Sequence, residues 1–252
     1  MNQLQNKVAL VSGGARGIGG AAATAFCEAG AAVVIGDMLA EVGEAKAAEL
    51  RAAGHRATFV PLDVRKAVDW AAAVARAQAD YGGLDILLNN AGISISKTIE
   101  DATEADFRHI FDINVMGVFL GMQTAIPAMK TRGGGAIVNI SSNSTQKIVA
   151  LAAVYSATKA AVANLTKTTA VQCAGYNIRV NSIHPGPTET AMLLGSSRDA
   201  DLPAVRAMIN AIPMGRMGKP PEIASVAVFL ASDAAAYMTG AELFVDGGVT
   251  MV

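Results

Sequence analysis

Short runs rich in β-branched and apolar residues recur at 8–11, 32–35, 58–60, 86–88, 136–140, 178–183 and 243–245, and helical periodicity fills the gaps. Alternation of this kind predicts a parallel sheet with helices on both faces, because successive parallel strands need crossover connections and those connections are right-handed. Of the 252 residues, 52% are hydrophobic and only 16% charged. Much of the apolar content is alanine and valine, which suits helices packed closely on strands buried from both sides. No polar linker interrupts the alternation. Residues 1–252 are therefore expected to form a single α/β domain, a doubly wound parallel sheet of about seven strands.

Ligands of such sheets bind beyond the C-terminal ends of the strands. The first of those ends carries SGGARGIG at 12–19. Gly13, Gly17 and Gly19 let the chain turn from a strand into a helix whose free amides can receive a pyrophosphate, with Arg16 and Ile18 beside it. Asp37 closes the next apolar run at about the spacing a dinucleotide pocket requires, so its carboxylate can accept hydrogen bonds from both adenosine ribose hydroxyls. A 2′-phosphate would sit against that carboxylate, and Met38 supplies no compensating cation. NAD is thus expected rather than NADP, although the Arg16 guanidinium can help hold either.

With 20 basic and 21 acidic residues along the chain, no basic stripe invites nucleic acid or anionic lipid. Cys27 and Cys173 lack metal-ligand spacing and read as buried reduced thiols, which fits a cytoplasmic location. The apolar run after Lys7 is too short for a signal peptide, and no segment reads as long enough to span a bilayer. Residues 187–216 break the strand–helix rhythm with Pro187, Pro203 and Pro213 and with Met192, Leu193, Leu194, Met208 and Ile209. That stretch reads as a lid over an apolar substrate, or else as a surface helix pair that supports packing or a subunit contact.

The strand at 136–140 runs into Ser141 and Ser142, and Tyr155 and Lys159 follow four apart on a predicted helix, sharing one face. A phenol with an ordinary pKa of about 10 is a poor base near neutrality, but an adjacent ammonium favours the phenolate. Tyr155 can then take a proton from an alcohol or give one to a ketone, while Ser142 hydrogen-bonds the reacting oxygen.

The sequence resembles the short-chain dehydrogenase/reductase family, in its subgroup of about 250 residues, over essentially the whole chain. SGGARGIG is similar to the family's TGxxxGxG with Ser12 for threonine, which keeps the hydroxyl and its hydrogen bond within the loop. Residues 89–92 match NNAG, and Asn114, Ser142, Tyr155 and Lys159 match the catalytic tetrad. Pro185 and Gly186 match the PG after the sixth strand, with Thr188 and Thr190 beyond. The resemblance implies a Rossmann fold and further roles. Lys159 would also bind the nicotinamide ribose, and Asn114 would hold a water linking the lysine to solvent. Asp63 and Val64 would contact the adenine, Asn90, Ala91 and Gly92 would line the cofactor, and Thr188 would lie near the carboxamide. Where members often have glycine three residues after the catalytic serine, this chain has Thr145, which predicts a bulkier, more polar substrate wall.

VALVSGGARG, GVFLG, VNSIHPG, LASD and TGAELFVDGG look most like bacterial 3α/20β-type hydroxysteroid dehydrogenases, although most of these stretches are scaffold. Ser94, Ile95, Ser144, Gln146, Ile148 and Val149 are the expected pocket lining beside Ser142 and Tyr155, with Met192, Leu193 and Met208 closing over it. The expected activity is reversible NAD-dependent oxidation of a secondary alcohol on a hydrophobic, cyclic or steroid-like molecule. The alternatives are a 3-oxoacyl-thioester (acyl-carrier-protein) reductase, opposed by Asp37 and by the lack of a clear basic patch, and a non-catalytic NAD-binding redox sensor. Ala160, Ala161 and Ala163 and the apolar end GGVTMV predict a homo-oligomer, with a tetramer favoured by the resemblance.

Overall fold

The computed structural model describes residues 3–194 and 203–252. Seven strands, β1 (Val8–Ser12), β2 (Ala32–Asp37), β3 (Ala57–Pro61), β4 (Ile86–Asn89), β5 (Gly135–Ile140), β6 (Ile178–Pro185) and β7 (Glu242–Val245), form one sheet. Their order is β3-β2-β1-β4-β5-β6-β7, with every pairing parallel. The described helices are α1 (Gly17–Glu28), α2 (Ala40–Ala52), α3 (Ala67–Tyr81), α4 (Glu104–Phe111), α5 (Gly117–Thr131), α6 (Ala153–Cys173), α7 (Ala191–Leu194), α8 (Pro203–Asn210) and α9 (Pro220–Ala231). This is the doubly wound α/β fold expected from the strand–helix rhythm.

Period-two alternation sends neighbouring strand residues into different cores. Ala9, Val11, Val33 and Ile35 pack with Phe26 of α1 and Ala224 and Ala227 of α9. Val8, Leu10, Val34 and Leu87 pack on the other side with Trp70 of α3, Met122 of α5 and Val162 of α6. Trp70 is fully buried, and its indole N–H is satisfied by the Val64 carbonyl at 3.0 Å. Cys27 and Cys173 are free and buried, as expected, and burial pushes the Cys27 thiol up to about 12.

Strand order reverses between β1 and β4, so the crossover connections diverge there and leave a crevice at the strand ends. Register places those ends side by side: Ser12 pairs with Asn89, Asn89 with Asn139, and Asn139 with Ser182. The segments that follow each strand therefore emerge at one level.

Two expectations are corrected. The helical run Glu104–Thr131 is long and apolar enough to cross a membrane by length and composition. Its packing accounts for that character: Val118, Met122, Ala125 and Met129 are buried in the core beneath the sheet, and a π turn, Asp112–Met116, interrupts the run. Ala163, expected on a subunit-facing surface, is buried, whereas Ala160 is exposed. Within the stretch 187–216, residues 195–202 lie outside the described residues. Of the rest, Met192 and Leu193 are exposed, but Leu194, Met208 and Ile209 pack on a small cluster of Val205, Ile212, Met217 and Val249. Met208 thus has a packing partner of its own.

Candidate active site

The turn from β1 into α1 is built for close approach. Gly13 has φ 63°, in the left-handed region, and a side chain there would strike the backbone of Ala91. A Cβ on Gly19 would run into the Gly13 carbonyl and the Asn90 amide. The loop is braced from β4 rather than from within: Ser12 Oγ accepts the N–H groups of Asn90 and Ala91 at 3.1 and 3.2 Å. Asn90 Nδ2 in turn donates to the Ser12 and Gly13 carbonyls at 3.2 and 3.0 Å. The hydroxyl kept at Ser12 therefore ties two loops together, where a bond internal to the glycine loop was expected.

A cleft of about 770 Å³ opens over this turn, and Gly13, Arg16, Gly17, Ile18, Asp37, Met38, Asp63, Val64, Asn90, Ala91, Gly92, Ser94, Thr190 and Met192 line it. Asp37 stands at its β2 end. One carboxylate oxygen accepts the Ala15 N–H and the other the Leu39 N–H, each at 3.0 Å, which fixes the group while leaving lone pairs on both oxygens. Asp63 differs: Arg65 grips its carboxylate with Nε at 2.8 Å and Nη2 at 2.7 Å and holds it well down, at about 2. Its side chain is committed to that arginine. Thr188, expected near a carboxamide, is buried with its hydroxyl donating to the Gly186 carbonyl at 2.9 Å. It lies outside the cleft lining, and its neighbours Glu189, Thr190 and Ala191 stand there instead.

At the β5 end, Ser142 caps a short 3-10 turn, Asn143–Thr145, by accepting the Ser144 N–H at 3.1 Å. That leaves its own hydroxyl hydrogen free, and the hydroxyl is near enough to the Tyr155 phenol to oppose the effect of burial on it. Tyr155 and Lys159 lie one turn apart on α6. Lys159 is 5% exposed, and its Nζ donates to the Ile140 carbonyl at 2.9 Å and stands 5.7 Å from the Tyr155 ring centre. Burial pulls the ammonium down to about 8. Burial also pushes the Tyr155 phenol up, with Ser142 opposing. The direction is opposite to the depression expected from the lysine, because loss of water around the phenol sets it.

Asn114 sits in the π turn with no exposure. Its Oδ1 accepts the Ile93 N–H at 2.9 Å, and its Nδ2 donates to the Ile93 carbonyl at 2.9 Å and to Thr158 Oγ1 at 3.1 Å. Both amide hydrogens are thus used in bracing the segment after NNAG against α6. A water at this place would find its partners among main-chain groups that the π turn releases.

The expected substrate lining divides. Ile148, Val149, Met192 and Leu193 expose their apolar side chains, as does the neighbouring Leu151, which was not among the expected residues. The Lys97 N–H donates to the Leu151 carbonyl at 2.9 Å, which pins the segment holding Ser94 and Ile95 to the one preceding Tyr155. Gln146 is exposed, but Ser144 is buried and its hydroxyl has no protein partner. Thr145, expected as a polar substrate wall, turns its hydroxyl to the Ser142 carbonyl at 3.0 Å, with His184 Nδ1 at 3.1 Å. His184 was not anticipated. The available signal was polar residues at alternate positions of a buried strand, Ser182 and His184, which places both on one face.

A family model described as enoyl-(acyl carrier protein) reductase matches residues 13–250. The 3-alpha-(or 20-beta)-hydroxysteroid dehydrogenase of Mycobacterium tuberculosis (strain ATCC 25618 / H37Rv) is 45% identical over 98% of this chain and 90% of its own. The trans-4-hydroxycyclohexanecarboxylate dehydrogenase of Sinomonas cyclohexanicum is 42% identical over 99% and 95%. The cyclopentanol dehydrogenase of Comamonas testosteroni is 41% identical over 99% of both chains. Among solved structures, that of gox2181 superposes with a TM-score of 0.94 at 38% identity, covering 100% of this chain and 99% of the other.

Proposed function

The chain belongs to the short-chain dehydrogenase/reductase family, and from that premise we propose that it oxidises a hydrophobic cyclic secondary alcohol to the ketone, reversibly, with NAD. The observation that carries this reading is the placing of Ser142, Tyr155 and Lys159 at the β5 end, with the Lys159 ammonium against Gly92, which lines a cleft whose other end holds Asp37. The glycine turn fits a pyrophosphate, because Gly13, Arg16, Gly17 and Ile18 line the cleft at the start of α1 and nothing nearer than Thr190 at 3.7 Å stands where a Gly17 side chain would project. Asp37, with lone pairs left on both oxygens, would take the ribose diol. A 2′-phosphate would meet that charge directly, and the exposed Met38 brings no cation. When bound, the nicotinamide supplies the hydride acceptor, or in reverse the donor.

The chain's own residues handle the proton. Ser142 donates to the substrate oxygen and Tyr155 receives the alcohol proton as a phenolate, or returns it to a ketone as the phenol. Lys159, charged below about pH 8, favours the phenolate and would hold the nicotinamide ribose. Because burial raises Tyr155, the phenol form prevails at neutrality and suits reduction, whereas oxidation gains with rising pH. Asn114 would support the proton path to solvent. The exposed apolar side chains of Ile148, Val149, Leu151, Met192 and Leu193 favour a ring substrate, and the alcohols named for the relatives are cyclic or steroidal. We assign the 187–216 stretch the role of lid, with its α7 part at the cleft.

Initial rates with NAD and with NADP, over cyclopentanol, cyclohexanol, steroidal and short linear secondary alcohols, test the reading. NAD turnover on the cyclic alcohols, lost in Tyr155→Phe and Lys159→Ala, is the expected result; full turnover in either folded variant overturns it. The exposed Phe107, Met116, Phe119 and Val171, with the part-buried edge strand β7, support a homotetramer, which light scattering would test. The free buried thiols suit the cytoplasm.

A further inference from the structure

Two side chains outside the Ser142, Tyr155 and Lys159 set converge on one main-chain atom within it. His184, on β6, has no exposure, and its Nδ1 lies 3.0 Å from the Ser142 carbonyl oxygen. Thr145 Oγ1 donates to the same oxygen at 3.0 Å, and the Thr145 N–H reaches it at 3.3 Å. On the far side of the ring, Nε2 lies 3.0 Å from Ser182 Oγ, and Phe244 packs at 4.5 Å between ring centres.

These contacts select one tautomer. A carbonyl oxygen cannot donate, so Nδ1 carries the hydrogen and donates to it, while bare Nε2 accepts from the Ser182 hydroxyl. The neutral ring satisfies every partner, and burial favours it. The charged groups whose fields reach the ring are Glu242, Lys167 and Lys159.

Ser142 has φ −162° and ψ 151°, ordinary extended backbone with no intrinsic reason to keep its hydroxyl where it is. Its Oγ orientation depends on the peptide that follows, whose N–H side is the 3-10 turn and whose oxygen is the atom just described. We infer that His184 and Thr145 act as a clamp on the Ser142 carbonyl that holds the Ser142 hydroxyl in line with Tyr155, and are positioning residues for the reaction. This deepens the function proposed above and rests on it for its kinetic consequence. Its geometric consequence does not. A looser Ser142 would lose part of its influence on the Tyr155 phenol, and sites of this kind tolerate only about 0.5 Å of displacement.

The test compares Thr145→Val, which removes the hydroxyl at constant shape, with Thr145→Ser, which restores it. It also compares His184→Leu with His184→Asn, whose amide nitrogen can replace Nδ1 as donor. Two readouts are taken. The first is kcat and KM on a cyclic alcohol. The second needs no substrate: the ionisation of Tyr155, read as the tyrosinate ultraviolet difference between each protein and its Tyr155→Phe counterpart.

Thr145→Val is expected to lower kcat about fivefold, what one net neutral hydrogen bond is worth, with KM for NAD unchanged. It is also expected to move Tyr155 ionisation to higher pH. Thr145→Ser and His184→Asn are expected to return toward wild type on both readouts. The clamp is overturned if Tyr155 ionises in Thr145→Val where it does in the wild type, or if lost rate only follows lost folded protein. Should His184 variants not fold, the Thr145 pair alone decides. Wild type without turnover, but with a shifted Tyr155 in Thr145→Val, would sink the proposed activity and leave the clamp standing.

Discussion

Replacing Lys159 with methionine is expected to make the protein inactive and more stable. The magnitude follows from the burial of the ammonium. Lys159 falls from 10.5 to about 8 through loss of water, and no carboxylate among the described residues offsets it. A displacement of about 2.5 pH units corresponds to about 3 kcal/mol spent in keeping the charge at neutral pH. Methionine removes that cost and fills a similar volume, but abandons the hydrogen bond to the Ile140 carbonyl, a loss of about 1–2 kcal/mol once the buried oxygen is left bare. The net gain is about 1–2 kcal/mol. For a chain of this size that is about 3–6 °C in Tm. The sign carries a pH signature. Below about pH 8 both folded and unfolded lysine are protonated and the wild type bears the whole penalty. Between about 8 and 10.5 the folded state alone loses its proton, so wild-type stability climbs and the advantage of Lys159→Met shrinks. Scanning fluorimetry of both proteins near pH 7 and near pH 9.5 measures this. A variant less stable than wild type at pH 7, or a gap that does not change with pH, would refute the desolvation argument.

Asp37→Ala is expected to weaken NAD by about tenfold or more, because a charged acceptor is lost from the ribose, while NADP gains relative to NAD; KM for both cofactors checks it. In Gly19→Ala the new methyl must displace the Gly13 carbonyl or the Asn90 amide, so NAD binding measured by fluorescence quenching should be abolished in a protein that still folds. Phe26→Ala, at a site with no exposure between α1 and the sheet, is expected to cost about 3–5 kcal/mol and to lower Tm without altering kcat per folded molecule.

The fold was readable in the sequence because each of its rules acts locally. Apolar runs buried on both faces mark parallel strands, and the glycine turn and Asp37 fall at strand ends by spacing alone. The tetrad positions were readable for the same reason: Tyr155 and Lys159 share a helical face, and Ser142 follows a strand. What the sequence hid was direction and partnership. Nothing local says that Asn90 and Asn114 spend their amides inside the protein, that Arg65 occupies Asp63, or that Thr188 turns its hydroxyl to Gly186. The two amides depend on neighbours brought close from far along the chain, whereas Arg65 and Gly186 lie only two residues from their partners and it is side-chain direction that the sequence leaves open. The same blindness produced the error in the sign of the Tyr155 shift, since proximity of a lysine is a matter of spacing but removal of water is a matter of packing.

Four polar residues share a property. Asn90, Asn114, Thr145 and His184 use polar side-chain atoms to hold main chain. The Asn90 and His184 bonds link the end of one strand to another, β4 with β1 and β6 with β5, whereas those of Asn114 and Thr145 brace the connections that follow β4 and β5. A parallel sheet fixes its strands but leaves the connections beyond their C-terminal ends without ladder hydrogen bonds, so the level at which a ligand binds is also the least supported level of the fold. Internal amides, a hydroxyl and a neutral imidazole replace the missing ladder there. Mutations at these four positions are therefore expected to move KM, kcat or pH profile at modest cost in stability, the reverse of Phe26, and that contrast separates a braced site from a merely well-packed core.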